Sequence, residues 1–388
     1  MRVLILHSRY LSGAASGENR VAEDEAALLA AAGHEVTLWS PEPEVGGAVR
    51  LARTAAETIW SPAAVRAVRR RIRERAVEVV HVHNLFPSLS PAVLRGAAAG
   101  GAAVVMTLHN YRLMCLPATF LRDGRVCEDC LDHVPWRGVQ HRCYRGSAAG
   151  SATLAASLTL HRGIGTFGDV HRYLAVSGFV RHKYVEAGFP ADRVVVKPNF
   201  SDAAEPRTGP GEYFLYLGRL SHEKGVDTLL RAWGAAPSGR RLLIVGDGPD
   251  GAALRRDAPA GVVFAGQVRG DEVPAILRRA RALLVPSRWY EAAPRGITEA
   301  YAAGVPVIAT RIGALEEAVD DDVTGALAPL DDASGWTAAV ERLSDDALSE
   351  RLGAGALERW RERYSPERGL AGLEAAYREA LDARNGYP

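Results

Sequence analysis

The chain has 388 residues, 47% hydrophobic and 24% charged, which is ordinary globular usage and enough length for two domains with separate cores. Its 47 basic residues are nearly balanced by 46 acidic ones, so a formal charge of +1 leaves no long-range field for gathering nucleic acid. No apolar run approaches the roughly 20 residues of a membrane span, and the apolar start is too short for a secretory signal, so the expected compartment is the cytoplasm.

Short runs rich in Val, Ile and Leu recur, with helix-length segments between most of them. The first half predicts strands at Val3–His7, Glu35–Trp39, Val77–His83, Ala103–His109, Arg172–Val176 and Val194–Lys197. The second half predicts them at Tyr213–Leu217, Arg241–Val245, Val262–Ala265, Ala282–Pro286, Pro306–Thr310 and Ala326–Pro329. Continuous apolar strands of this kind suit a parallel sheet covered by helices on both faces. The series runs twice, which predicts an α/β protein of two Rossmann-like, doubly wound domains. The expected divisions are an N-terminal domain over 1–198 with an insertion at 111–145, a second domain over 199–364, and a helical tail over 365–388. The joint falls in PNFSDAAEPRTGPGE, from Pro198 to Glu212, which is rich in Pro and Gly. In the tail, Leu370, Leu373, Ala376 and Leu381 follow a helical period.

Ligands of open α/β sheets bind beyond the carboxyl ends of the strands, so the loops there carry the interest. The first such loop runs from Ser12 to Asn19. Gly13 and Gly17 allow close backbone approach, and the helix that follows offers free N–H groups to an anion. A strict G-x-G-x-x-G is missing. Trp39-Ser40-Pro41 ends the second strand where an acidic ribose ligand would stand, which argues against a nicotinamide cofactor. Val65, Val68 and Ile72 are at helical spacing within the basic stretch up to Arg75, as in a helix covering the core. His81 and His83 alternate with Val80 and Val82, and the period of two accounts for them as structural residues.

All four cysteines lie in the insertion: Cys115, Cys127, Cys130 and Cys143, with a C-x-x-C at the centre. Four thiolates can close a tetrahedral zinc site and order a segment that has no core of its own. His133 and His141 lie near enough to substitute; disulfides and unligated thiols are the other readings. Such a closed site would be structural, leaving no catalytic cofactor.

In the second half, Gly218-Arg219-Leu220-Ser221-His222-Glu223-Lys224-Gly225 follows that half's first strand. Two cations five residues apart beside glycines suit a diphosphate, with arginine able to fork onto two oxygens. Gly246-Asp247-Gly248 makes another glycine-rich turn. The stretch from Pro286 through Glu291, Arg295 and Gly296 then enters a helix carrying Glu299. Carboxylates accept readily from vicinal hydroxyls, and helix N–H groups suit a phosphate. Asp320-Asp321-Asp322 could suggest a metal, but it falls in a polar turn after Glu316 and Glu317.

The glycine loop, GRLSHEKG, VGDGP and PSRWYEAAPRGITEAYAAGVPVIAT together resemble family 4 of the retaining glycosyltransferases, whose two-Rossmann fold with a central cleft is called GT-B. The resemblance covers nearly the whole chain and is strongest from Tyr213 to Leu330. It implies that Arg219 and Lys224 hold the diphosphate of a nucleotide-sugar donor. Glu291 would bind hydroxyls of the transferred sugar, and Glu299 the nucleotide ribose. Gly218, Gly248, Arg295 and Gly296 would line the donor site. His109 looks like the family's cleft histidine, near the sugar and the reacting oxygen. Gly13, Gly17 and Glu18 look like the segment meeting acceptor and phosphates, and the final helix resembles one that crosses back to the first domain. Where many members have Phe-Gly after the first glutamate, Ala292-Ala293-Pro294-Arg295-Gly296 stands here, so Arg295 adds a cation near the donor.

What the resemblance implies is transfer of a sugar to a hydroxyl of a saccharide, a lipid-linked acceptor or a secondary metabolite, without a required metal. Attack comes on the face the leaving group departs from, and the leaving phosphate takes the acceptor proton. Two other classes share these features. A GT-B nucleotide-sugar epimerase or related phosphosugar enzyme would rearrange donor without acceptor. A non-enzymatic zinc-dependent interaction protein would use 111–145 and ignore nucleotide diphosphates.

Overall fold

The computed structural model describes residues 1–9, 17–42, 46–235 and 239–386, which divide into two compact units. The first comprises Met1–Phe120, Glu128–Lys197 and Leu370–Pro388; the second comprises Leu121–Cys127 and Pro198–Gly369.

In the first unit the strands are β1 (Arg2–His7), β2 (Glu35–Trp39), β3 (Val79–Asn84) and β4 (Ala103–Leu108). A two-stranded antiparallel hairpin of β5 (Leu121–Arg122) and β6 (Arg125–Val126) comes next in sequence and groups with the second unit. The insertion assigned above to the first domain is therefore divided between the two. The first unit resumes with β7 (Arg172–Ala175) and β8 (Val194–Val196). Its six strands lie in the order β2-β1-β3-β4-β7-β8, all parallel. Leu4, Ile5 and Leu6 of β1 are fully buried, as are Val79, Val80 and Val82 of β3. A strand covered on both faces has no polar side to alternate with, hence the unbroken apolar runs.

The helix Pro62–Arg75 covers one face. Ser61 caps it by accepting from Ala64 N, and Val68 and Ile72 turn inward while its arginines stay exposed except Arg71, which is half-buried over the Trp39 ring. The terminal helix Pro366–Arg384 presents Leu373, Ala376, Tyr377 and Ala380 to a core that includes Val3, Ile5, Leu29 and Val79. Burying one leucine of such a stripe contributes about 1.5–3 kcal/mol. The tail's helical period is thus a packing face on the first sheet.

The second unit repeats the plan with β9 (Tyr213–Leu217), β10 (Leu242–Val245), β11 (Val262–Gly266), β12 (Ala280–Val285), β13 (Val307–Thr310) and β14 (Gly325–Ala328). The order is β11-β10-β9-β12-β13-β14, again all parallel. In each sheet the chain winds outward from a central strand in one direction and then in the other. The reversal lies between β1 and β3 in the first sheet and between β9 and β12 in the second. Helices leave on opposite faces there and open a crevice at the carboxyl ends of the central strands.

Candidate functional site

The crevice of the second sheet collects the residues that the sequence singled out. Lys224 follows β9 and Glu291 follows β12, and Lys224 Nζ donates to Glu291 Oε1 at 2.6 Å. The same oxygen accepts from Ser287 Oγ at 2.7 Å and Trp289 Nε1 at 2.9 Å. Three donors on one oxygen leave Glu291 buried and fixed in place, while Lys224 lies over the Trp289 ring at 5.1 Å from its centroid. The two residues are therefore held side by side as one ion pair.

Glycine makes that approach possible. Gly225 has φ +69°, and a Cβ there would meet the Pro286 carbonyl oxygen at 2.0 Å. Gly246 has φ +136°, and its Cβ would meet Gly218 O at 1.9 Å. Backbones this close exclude any side chain, so these glycines hold the β9, β10 and β12 loops together. Gly218 and Gly248 belong to the same packed loops: Gly218 N donates to Val245 O, and a Cβ on Gly248 would meet Leu220 O at 2.3 Å.

Arg219 lies in the same loop, largely exposed, with its guanidinium on the Glu223 carboxylate. Glu223 also accepts from Ser221 Oγ at 2.6 Å. Burial alone would raise the Glu223 pKa; the Ser221 hydroxyl and Arg219 outweigh it and hold the group below its ordinary value. A phosphate reaching Arg219 would compete with a carboxylate already there. Beyond Glu291, Arg295 and Gly296 open the eight-residue helix Arg295–Ala302. Arg295 Nε donates to Glu299 Oε1, one turn on, at 3.2 Å. Glu299 is thus positioned by the cation that departs from the family pattern.

One residue of this crevice escaped sequence reasoning. Arg288 is buried and bonds Asp227, Asp331, Thr228 Oγ1 and the His222 carbonyl. It ties the loop holding Lys224 to the one holding Glu291. In the sequence it was one arginine among many, and its acidic partners are 61 and 43 positions away.

In the first unit, Gly17 and Glu18 begin the helix Gly17–Ala31, while Gly13 lies outside the described residues. Glu18 Oε1 accepts from Asn110 Nδ2 at 2.7 Å, and the Asn110 carbonyl accepts from Tyr184 OH at 2.7 Å. These bonds tie the start of that helix to the segment after β4. There His109, nearly buried, lines a small cavity with Asn110, Arg112 and Tyr184. Burial pushes its pKa down from 6.5 to about 3, although the Glu25 charge opposes the shift. His109 is a neutral imidazole at physiological pH, able to accept or donate one hydrogen bond on each side. Its Nε2 lies 2.9 Å from His83 Nδ1.

His81 and His83, attributed to period-two alternation, prove to be packed around a buried carboxylate. Glu25 and Lys197 form an ion pair at their centre. The sequence did carry a signal for Glu25. The helix Gly17–Ala31 buries Val21, Ala22 and Leu29 on one face, and an acid at position 25 falls on that same face. A charge on an apolar stripe marks a buried partner.

Cys115 is buried in the turn after β4, where its sulfur accepts from Phe120 N at 3.4 Å. Cys127 follows β6, Cys130 lies three residues on, and Cys143 follows the short helix Trp136–Gln140. Burial pushes the Cys115 thiol up to about 11, and Cys130 is close enough to raise it further. Burial therefore favours the neutral thiol at Cys115. Asp320–Asp322 pair with Arg359, Arg311 and Arg342, as a polar turn would. No described helix is long and apolar enough to cross a membrane.

Two parallel α/β units with a paired cation and carboxylate at a sheet's switch point define a GT-B glycosyltransferase architecture. Residues 15–205 match the model of Glycosyltransferase Family 4, and residues 211–346 match Glycosyl transferases group 1. A GDP-mannose-dependent alpha-(1-6)-phosphatidylinositol monomannoside mannosyltransferase of Mycolicibacterium smegmatis is 32% identical over 61% of this chain and 70% of its own length. The chain belongs to glycosyltransferase family 4. A glycogen synthase of Mycobacterium tuberculosis is 38% identical over 40% of each chain, and a D-inositol 3-phosphate glycosyltransferase of Salinispora tropica is 31% identical over 44% of this chain and 39% of its own. The matches thus span less than half the length of those two relatives. Among solved structures, a sucrose-phosphate synthase from Thermosynechococcus elongatus superposes with TM-score 0.69 at 19% identity, over 99% of this chain and 100% of the other. HepE of Anabaena, solved with UDP, gives 0.65 at 18%, over 97% and 99%.

Proposed function

We propose that this protein transfers a sugar from a nucleoside-diphosphate sugar to an acceptor hydroxyl, with retention at the anomeric carbon. The observation that carries the reading is the Lys224–Glu291 pair at the switch point of the second sheet. It offers a cation for the diphosphate and a fixed carboxylate for sugar hydroxyls, side by side. In the proposed reaction the bond between the anomeric carbon and the phosphate oxygen breaks, and its electron pair stays with the diphosphate. Lys224, Arg219 and the N-terminus of the Arg295–Ala302 helix would stabilise the charge that builds there. The acceptor oxygen bonds to the same carbon on the face just vacated, and its proton passes to the departing phosphate oxygen. Glu299 would hold the ribose, and Arg295 both positions it and adds charge near the donor. His109, Glu18 and the glycine loop would meet the acceptor and the sugar. The GDP-mannose dependence named for the Mycolicibacterium relative supports a nucleotide-sugar donor.

A thermal-shift panel of UDP, GDP, ADP and dTDP sugars identifies the donor. NMR of the product with the matching acceptor then reads the anomeric configuration. Stabilisation by no nucleotide or nucleotide sugar would refute the proposal; an inverted product would refute retention alone.

We further propose that Cys115, Cys127, Cys130 and Cys143 hold a structural zinc ion. The C-x-x-C spacing and the confinement of all four thiols to one segment support it. Metal analysis of protein purified without chelator should find about one zinc per chain. Four titratable thiols without metal, or two disulfides by mass spectrometry, would rule it out.

A further inference from the structure

Glu25 Oε1 is held by Lys197 Nζ, and Glu25 Oε2 faces His83 Nε2 at 3.4 Å. Among the described residues neither Glu25 Oε2 nor His83 Nε2 has a hydrogen-bond partner; both residues are buried, and the two atoms face each other as an unpaired charge and ring nitrogen, with His81 Nδ1 at 3.7 Å from the same oxygen. On its far side His83 Nδ1 meets His109 Nε2 at 2.9 Å. Glu25, His83 and His109 therefore form one line from the buried ion pair to the cavity that His109 lines.

From this line we infer that Glu25, acting through His83, fixes the tautomer of His109 so that its Nδ1 is an unprotonated acceptor. Glu25 and His83 are positioning residues; their functional consequence rests on the proposal that His109 meets the reacting groups.

The chemistry permits one arrangement. Burial alone would raise the Glu25 pKa, but the Lys197 ammonium outweighs it and keeps the group an anion. Burial and the neighbouring imidazoles push His83 well below its ordinary value, so it carries one ring proton. A carboxylate has only lone pairs to offer, so the His83 nitrogen facing it must be the N–H. The opposite tautomer would set two lone pairs against each other away from water, which neither atom could relieve. His83 Nδ1 is then a lone pair and requires a donor, which is His109 Nε2–H. His109 Nδ1 is left as the acceptor. His81 runs beside the line, with Nδ1 on Tyr377 OH at 2.8 Å and Nε2 on Thr107 Oγ1 at 2.7 Å, so its nitrogens are already engaged.

A buried metal ion is the competing use of the same atoms. Glu25, His81 and His83 place ligand atoms within 4.8 Å of one another. Lys197, however, already supplies the cation that the carboxylate needs, and a divalent ion would sit against that ammonium.

Nitrogen-15 correlation spectra of histidine-labelled wild-type protein read each ring's protonation directly and need no substrate. Both His83 and His109 are expected as Nε2–H tautomers. Glu25→Gln should reverse the line. The glutamine oxygen must turn to Lys197, which only donates, so its NH₂ group faces His83 Nε2. His83 then becomes Nδ1–H, and so does His109. With the donor and acceptor of the proposed function, the same variant should lose about tenfold or more in kcat while keeping its nucleotide affinity. Nδ1–H at His109 in the wild type, or an unchanged tautomer in a folded Glu25→Gln, would overturn the inference. If Glu25→Gln does not fold, the wild-type spectrum decides alone. If the protein transfers no sugar, the spectrum still decides the relay, so the two proposals fail separately.

Discussion

Replacing Lys224 by alanine removes the ammonium that donates to Glu291 Oε1 at 2.6 Å, leaving the Ser287 hydroxyl and the Trp289 indole on that oxygen. A carboxylate only 8% exposed then lacks this counter-ion. Breaking a fully buried pair costs about 3–5 kcal/mol, but Lys224 is 23% exposed and solvent screens part of the interaction. A loss of about 1–3 kcal/mol of stability is therefore expected. The nucleotide diphosphate should lose a charge-assisted bond of about 1.5–3 kcal/mol, or roughly tenfold to a hundredfold in Kd. Adding Glu291→Gln separates the two effects. A neutral amide needs no counter-ion, so the double variant should regain most of the stability but none of the nucleotide affinity. Urea denaturation reads the first quantity, and calorimetry with the nucleotide diphosphate of the identified donor reads the second. Wild-type nucleotide affinity in Lys224→Ala, or its recovery in the double variant, would show that Lys224 serves only to neutralise Glu291.

Glu299→Gln should weaken the free nucleotide diphosphate and the intact donor alike, whereas Glu291→Gln should weaken only the intact donor; equal losses of the free nucleotide in calorimetry would erase that division of the site. Because burial holds His109 at about 3 against an ordinary 6.5, it takes up a proton on unfolding at any pH between. Its contribution to stability is complete above 6.5 and declines as pH falls toward 3, by up to about 1.4 kcal/mol per pH unit. Urea midpoints of His109→Gln should accordingly fall less steeply with acid than those of the wild type, and parallel curves would contradict this assignment. Gly225→Ala should cost about 2 kcal/mol or more, since the new methyl meets Pro286 O at 2.0 Å on a backbone of φ +69°. An unchanged denaturation midpoint would mean that the loop yields easily.

The sequence by itself determined the repeated α/β plan, because continuous apolar runs such as Val3–Leu6 and Tyr213–Leu217 have no other economical burial than a sheet covered on both faces. It also singled out the glycine-rich loops after the strands, and the structure adds why Gly225 and Gly246 stand there, since a side chain at either would strike a neighbouring carbonyl. Tertiary structure alone decided who meets whom. Lys224 and Glu291 are 67 positions apart and become one ion pair only because β9 and β12 are neighbours in the sheet. The same holds for Lys197 and Glu25, 172 positions apart, and for His83 on β3 and His109 just past the end of the adjacent β4. Periodicity could place His81 and His83 on a strand, but it could not reveal that the space beside them holds a carboxylate. That depends on which helix packs there and which of its residues faces inward. Pattern in a sequence reports local geometry, whereas the protonation of a buried histidine is set by atoms brought in from distant segments.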